Sequence, residues 1–202
     1  MDVSRREFLK SLSAAGALGA VALERAGMGE ARAQDAKSAP EVTVLAAAGA
    51  ELVLTVNGKE HKLSVEPRTT LLDLLRTKLD VTGPKDVCDR GACGACTVLV
   101  DGEPRVSCML LAHDVAGRKI ETVEGIGTPE KPHALQKAFA ECDALQCGFC
   151  TPGMVVSLKC LMDHNAKPSL AEIKSAVSGN VCRCGTYTRI FEAAQKACGG
   201  AK

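Results

Sequence analysis

The chain has 202 residues, 25 Lys/Arg against 24 Asp/Glu, a formal charge of +1 and 11 cysteines. A nearly neutral balance without a basic stripe removes the electrostatic footprint of a nucleic-acid binder. Aromatic residues are 2% of the chain, with no Trp, so there is no platform on which bases could stack.

Ser4-Arg5-Arg6-Glu7-Phe8-Leu9-Lys10 is a twin-arginine export signature. The apolar run from Ser11 to Leu23 is rich in Ala and Gly, and it is shorter than the roughly 20 residues that cross a bilayer. Ala31-Arg32-Ala33 supplies a cleavage site. Residues 1–33 therefore read as a signal peptide, with a mature chain beginning at Gln34 and working in the periplasm. The alternative is an amphipathic N-terminal helix that stays on the protein. It does not account for an arginine pair, an apolar run and a cleavage site in that order. No later segment is apolar enough to span a membrane.

Residues 34–50 are Ala-rich and unpatterned, which fits a linker. From Glu51 the apolar period is two. Leu52, Leu54 and Val56 alternate with other residues, Asn57-Gly58 gives a hairpin turn, and Lys59 to Val65 returns as a second strand with His61, Leu63 and Val65 on one face. Thr70 and Asp73 fit a helix cap, predicting a helix over Leu71–Leu79 with Leu71, Leu72, Leu75 and Leu79 as its apolar stripe. A glycine-rich loop follows. Thr97–Val100 and Glu103–Val106, joined by Asp101-Gly102, predict a second hairpin, and Ile120–Val123 a further strand. A mixed sheet crossed by one helix, with a cysteine loop after it, is the plan of a β-grasp ferredoxin, here over residues 51–124. Gly125 to Pro132 carries the boundary. A helical domain over residues 133–200 follows, with helices over Ala134–Ala140, from Thr151 as N-cap and Pro152 at the first helical position to about His164, from a Ser169/Glu172 capping box to near Gly179, and over Ile190–Cys198. The expected class is α+β, a β-grasp domain followed by a four-helix bundle.

Eight of the cysteines form two quartets. Cys88, Cys93, Cys96 and Cys108 read C-x4-C-x2-C-x11-C. Cys147, Cys150, Cys182 and Cys184 read C-x2-C…C-x-C. Four thiolates are the ligand set of a 2Fe–2S cluster, and C-x4-C-x2-C is the plant-type ferredoxin opening. Disulfides are the first alternative in an exported chain, against which stand the odd cysteine count and the close spacings. Structural zinc is the second, although zinc sites favour paired C-x2-C knuckles. Gly91, Ala92, Gly94 and Ala95 leave room for backbone N–H groups around the first site. At the second, Gly148 lies between two ligands and the following helix would direct its N-terminus at the metal. Cys182 and Cys184, if extended, would share a face.

Three stretches carry a resemblance. Cys88-Asp89-Arg90-Gly91-Ala92-Cys93-Gly94-Ala95-Cys96-Thr97-Val98, Gln146-Cys147-Gly148-Phe149-Cys150-Thr151-Pro152-Gly153 and Ser178-Gly179-Asn180-Val181-Cys182-Arg183-Cys184 resemble the iron–sulfur subunit of the xanthine dehydrogenase/aldehyde oxidase family of molybdenum hydroxylases. The resemblance covers about Leu52 to Ala197. It departs in Gly185-Thr186-Tyr187, where many members have Thr-Gly-Tyr, and this variant resembles exported aldehyde dehydrogenases and isoquinoline-type oxidoreductases. It implies a 2Fe–2S ferredoxin-like domain and a helical 2Fe–2S-binding domain, with the eight cysteines as ligands and no catalytic residue on this chain. It implies a large partner subunit that holds a molybdopterin cofactor, with Gln146 and Cys184 touching the pterin. The helical-domain cluster would be the inner one, and the ferredoxin cluster would pass electrons outward to a FAD subunit or a cytochrome c. The substrate would be an aldehyde or an N-heterocycle. The competing reading is a stand-alone exported two-cluster carrier or a metal-stabilised binding protein.

Cys142, Cys160 and Cys198 lack partners at ligand spacing, and Cys160 is expected to be a small packed side chain. His61, His113, His133 and His164 are scattered, and no C-x-H pair exists for a Rieske site. His133 is expected at the surface or at a helix cap. Arg90 and Arg183 fit either neighbours of cluster charge or solvated surface groups.

Overall fold

The protein is described by a computed structural model over residues 44–199. The segment 1–33 expected to be a signal peptide, and the expected linker as far as residue 43, lie outside the described residues.

Alternating burial builds the first hairpin. β1 (Ala50–Val56) buries Leu52, Leu54 and Val56, and pairs antiparallel with β2 (Lys59–Val65), Leu52 facing Leu63 and Leu54 facing His61. Asn57 and Gly58 have φ of 49° and 80°, the left-handed pair that a two-residue hairpin turn requires. β3 (Thr97–Val100) and β4 (Glu103–Val106) form the second hairpin. β5 (Lys119–Glu121) runs parallel to β1 and antiparallel to β3, which closes a five-stranded sheet of order β2-β1-β5-β3-β4. The last strand ends at Glu121, short of the expected Val123, because Thr122 gives its N–H to the Asn57 side chain and the chain turns into α2 (Val123–Ile126).

The crossing helix departs from the expected regular α-helix. Thr70 accepts the Asp73 N–H as the cap. α1 (Leu71–Asp73) then widens into a π-helical turn, Leu74–Lys78, closed by the Leu79 N–H on the Leu74 carbonyl. Tertiary packing decides this: Leu71, Leu72, Leu74 and Leu75 are all buried, so that Leu74 joins the apolar stripe, while Leu79 packs at the edge of the same core. Arg76 donates to the carbonyls of Thr82 and Pro84, holding the segment that leads to the first cysteine loop against this helix. Leu72 packs beneath Cys96 and Cys108.

Beyond α2 the chain is helical. α3 (Ala134–Glu141) is capped by His133, whose ring accepts the Leu135 N–H, as expected of a capping residue. α4 (Thr151–His164), α5 (Leu170–Ala176) and α6 (Tyr187–Ala197) follow, and the Ser169/Glu172 capping box opens α5 as the sequence indicates. Leu135, Phe139, Met154, Leu158, Ile173 and Ile190 form the helical core. α6 starts three residues before the expected Ile190, because the chain turns through Gly185 and Thr186 directly into it.

All four residues of β3 are buried. Val98 and Val100 face α1, whereas Leu99 packs against Val156 and Cys160 of α4. The sheet is therefore covered on both faces at β3, and the cysteine loops at the end of α1 and the start of α4 meet beside it. No helix of the described residues is long and apolar enough to cross a membrane.

Candidate metal centres

The first quartet sits in the loop between the π-helical turn and β3, with Cys108 supplied by the turn after β4. The thiols sort two and two. Cys88 neighbours Cys93, and Cys96 neighbours Cys108. Backbone N–H groups surround them: those of Arg90, Ala92 and Cys93 point at Cys88, and that of Ala95 at Cys93. The Gly91 N–H lies 3.3 Å from Cys108 Sγ, a direction the backbone reaches at φ 71°. The N–H of Arg90 chiefly pulls the Cys88 thiol down to about 7, whereas burial pushes Cys108 up to about 11.

The second quartet joins the loop before α4 to the turn before α6. Cys147 and Cys184 have their sulfurs 3.5 Å apart at the surface. Cys150 and Cys182 are buried next to each other. Residues 182–185 form a turn closed by the Gly185 N–H on the Cys182 carbonyl, where sequence reasoning expected an extended segment with both thiols on one face. The turn splits the C-x-C pair, so that Cys182 points inward to Cys150 and Cys184 outward to Cys147. Burial pushes Cys150 up to about 12. Burial also acts to raise Cys182, but the Thr186 hydroxyl and backbone, the Cys150 thiol and the Gly185 N–H outweigh it and bring Cys182 to about 7.

These residues fit a 2Fe–2S group. Such a core places two thiolates on each of two irons, and both quartets present two pairs. Among the described residues, no three His, Cys, Asp or Glu side chains converge on one metal-sized point. Cys150 is the N-cap residue of α4, so the first N–H groups of that helix lie at the second quartet. Thr151 was expected to be that cap. It is instead the first helical residue, and its Oγ1 is buried without a hydrogen-bond partner. An unpaired buried hydroxyl costs about 1–3 kcal/mol, and an anionic sulfur-rich group held at Cys150 would give it an acceptor.

The two loops are locked together. The Val181 N–H donates to the Cys93 carbonyl at 2.9 Å. Asn180, 5% exposed, donates from Nδ2 to the Gly94 carbonyl at 2.9 Å and accepts the Ser157 hydroxyl at 2.9 Å. The Tyr187 hydroxyl accepts the Cys182 N–H at 2.8 Å and donates to the Asn180 carbonyl at 3.2 Å. Gly94, at φ 68°, is a point of close approach, where a Cβ would run into the Gly179 carbonyl and the Asn180 side chain.

Gln146, Cys147 and Cys184 are exposed, and apolar neighbours in sequence are exposed with them: Phe149 at 55%, Val181 at 51% and Leu145 at 37%. Arg90 and Arg183 are also exposed. Cys160 packs against Leu99 and Val156, Cys142 lies in the helical core, and Cys198 is partly buried at the end of α6. A cavity of about 880 Å³ opens among Thr55, Asn57, Asp101, Lys119 and Glu121, and none of its lining residues is a cysteine. Sequence reasoning gave no role to Asn180, Thr186 or Tyr187. All three lie in or next to the motif Ser178–Cys184, but their hydrogen-bond partners are far away in sequence or in a turn that periodicity does not reveal.

Comparison with known proteins agrees with this geometry. Residues 54–122 match the family described as 2Fe-2S iron-sulfur cluster binding domain, and residues 122–195 that described as 2Fe-2S binding domain. The chain is 44% identical to the nicotinate dehydrogenase small FeS subunit of Eubacterium barkeri over 144 residues, 71% of this chain and 92% of that one. It is 40% identical over 217 residues to the aldehyde oxidoreductase iron–sulfur-binding subunit PaoA of Escherichia coli K12, covering 100% of this chain and 91% of that one. Among solved structures it is similar to quinoline 2-oxidoreductase from Pseudomonas putida 86, with a TM-score of 0.72 and 43% identity over 75% of this chain and 94% of that one.

Gly94→Ala tests the contact between the loops. Alanine at a left-handed position costs about 1–2 kcal/mol, and the added Cβ pushes the loops apart. The expected result is less iron retained per chain and a weaker visible absorption. Wild-type iron content and thermal stability in the variant would contradict the lock.

Proposed function

This chain belongs to the iron–sulfur small subunits of the xanthine dehydrogenase/aldehyde oxidase family of molybdenum hydroxylases, and on that footing we propose how its own residues serve the electron-transfer role of such a subunit. The subunit is non-catalytic and has two 2Fe–2S domains. When bound, each 2Fe–2S group takes up and releases one electron. Cys88, Cys93, Cys96 and Cys108 hold one group, and Cys147, Cys150, Cys182 and Cys184 the other. The observation that carries this assignment is the two-by-two sorting of both quartets in loops that touch each other.

The chain's own contribution is geometric. The Cys93–Val181 hydrogen bond joins a ligand of one quartet to the residue before a ligand of the other, and Asn180 fixes that junction from inside the protein. Backbone N–H groups stabilise anionic sulfur at the first site without adding net charge. At the second site the outer pair, Cys147 and Cys184, stands open while the inner pair is shielded from water.

Substrate chemistry falls to a large molybdopterin-binding catalytic subunit, whose pterin Gln146 and Cys184 face. The exposed Leu145, Phe149 and Val181 support a docking face there, since apolar side chains grouped at a surface mark an interface. The substrate is an aldehyde or an N-heterocycle, and the outward electron acceptor is a FAD subunit or a cytochrome c. Export by the twin-arginine route, with cleavage after Ala33, puts the mature subunit in the periplasm. Arg5, Arg6 and the Ala31-Arg32-Ala33 site support this.

Two measurements test this reading. Purified alone with its clusters, the chain is expected to oxidise no aldehyde or N-heterocycle, whereas purified with its large partner it supports turnover. Activity in the isolated chain would refute the division of labour. For the export claim, Arg5 and Arg6 are both replaced by Lys, which keeps the charge and removes the twin-arginine signature. The double variant should accumulate in the cytoplasm, and a cluster-loaded double variant in the periplasm would refute the route.

A further inference from the structure

Thr186 stands at the N-cap position of α6, with φ −74° and ψ 14°, and its side chain makes no capping hydrogen bond. A threonine at that position commonly accepts a backbone N–H from the first helical turn. Here the hydroxyl oxygen lies 3.1 Å from Cys182 Sγ instead. Thr186 and Cys182 are each 7% exposed, so water does not compete for the contact. A thiolate sulfur has no hydrogen to give, so once Cys182 is a ligand the threonine hydroxyl is the donor. Among the described residues, no other cysteine of the two quartets receives a side-chain hydroxyl on its sulfur.

Hydrogen bonds to ligand sulfurs are one of the levers that set the reduction potential of an iron–sulfur cluster. The reduced core carries the extra negative charge, so a donor held against a ligand sulfur stabilises it more than the oxidised core. We infer that Thr186 is a positioning residue that raises the reduction potential of the cluster at Cys147, Cys150, Cys182 and Cys184, through its hydroxyl on Cys182. The inference rests on the proposed ligation by those four cysteines. Its consequence is a site more readily reduced by a donor that docks at the exposed Cys147–Cys184 end.

The test is a potentiometric titration of both clusters, followed by electron paramagnetic resonance, in the native complex. Thr186→Val removes the hydroxyl and keeps the branched shape. The ratio of reduced to oxidised helical-domain cluster at fixed potential should fall about tenfold, which is 59 mV for a one-electron couple. The ferredoxin-domain cluster should stay unmoved, and Thr186→Ser should restore the wild-type value. An unmoved potential in a loaded Thr186→Val protein overturns the inference, as does an equal shift of both clusters or a serine variant as shifted as the valine one. If the valine variant does not load, Thr186→Ala is read in the same way. Independently, exchange of the wild-type protein into deuterated water should shift the iron–cysteine stretching bands of the helical-domain cluster in resonance Raman spectra. No shift would overturn the inference without any variant having to fold. Absence of the helical-domain signal from wild-type protein would instead refute the ligation itself.

Discussion

The hydrogen bond from the Val181 N–H to the Cys93 carbonyl is the contact on which the rest of the arrangement depends. It ties a loop built by the sheet to a turn built by the helices, at residues that are ligands or next to ligands. A single exposed bond of this kind would contribute about 0.5–1.5 kcal/mol. This one is protected by a buried polar network, in which Asn180 satisfies the Gly94 carbonyl and the Ser157 hydroxyl while Tyr187 holds the Asn180 carbonyl. A fully satisfied buried network rigidifies its surroundings, and a half-satisfied one is costly. The junction is therefore held in one geometry, and with it the spacing of the two thiol quartets.

The fold around this junction serves it in two ways. β3 is packed from both sides, by α1 through Val98 and Val100 and by α4 through Leu99. That packing brings the end of the π-helical turn and the start of α4 to one place. The second quartet is also polarised, with Cys150 and Cys182 buried and Cys147 and Cys184 exposed. A metal group bound there would have one end in the protein interior and one end at the surface, next to Gln146 and Phe149. This asymmetry suits a subunit that must pass charge across an interface while keeping its cluster out of bulk water.

Much of this was legible in the sequence, for local reasons. Asn57-Gly58 and Asp101-Gly102 dictate their own turns, alternation in Leu52, Leu54 and Val56 dictates a half-buried strand, and the Ser169/Glu172 box dictates a helix start. The quartets were readable because ligand spacing is itself a local property. What escaped was set by contacts distant in sequence. Leu74 was drawn into the core by the sheet, widening the helix. Thr122 left the strand for the Asn57 side chain. Thr151 lost its capping role to Cys150. The turn over residues 182–185 set Cys182 and Cys184 facing opposite ways, which a two-residue period could not predict. Asn180 and Tyr187 act through partners that only the folded chain brings near.

Mössbauer and electron paramagnetic resonance spectroscopy on one anaerobically purified, iron-57-labelled sample test the central claim most directly, namely that each quartet holds two irons by two pairs of thiols. The account predicts four irons per chain, all in spin-coupled pairs when oxidised, and two distinct one-spin signals on full reduction, the sites differing in burial and in their hydrogen-bond donors. Single-iron or zinc occupancy of either quartet, or one signal where two are expected, would contradict it.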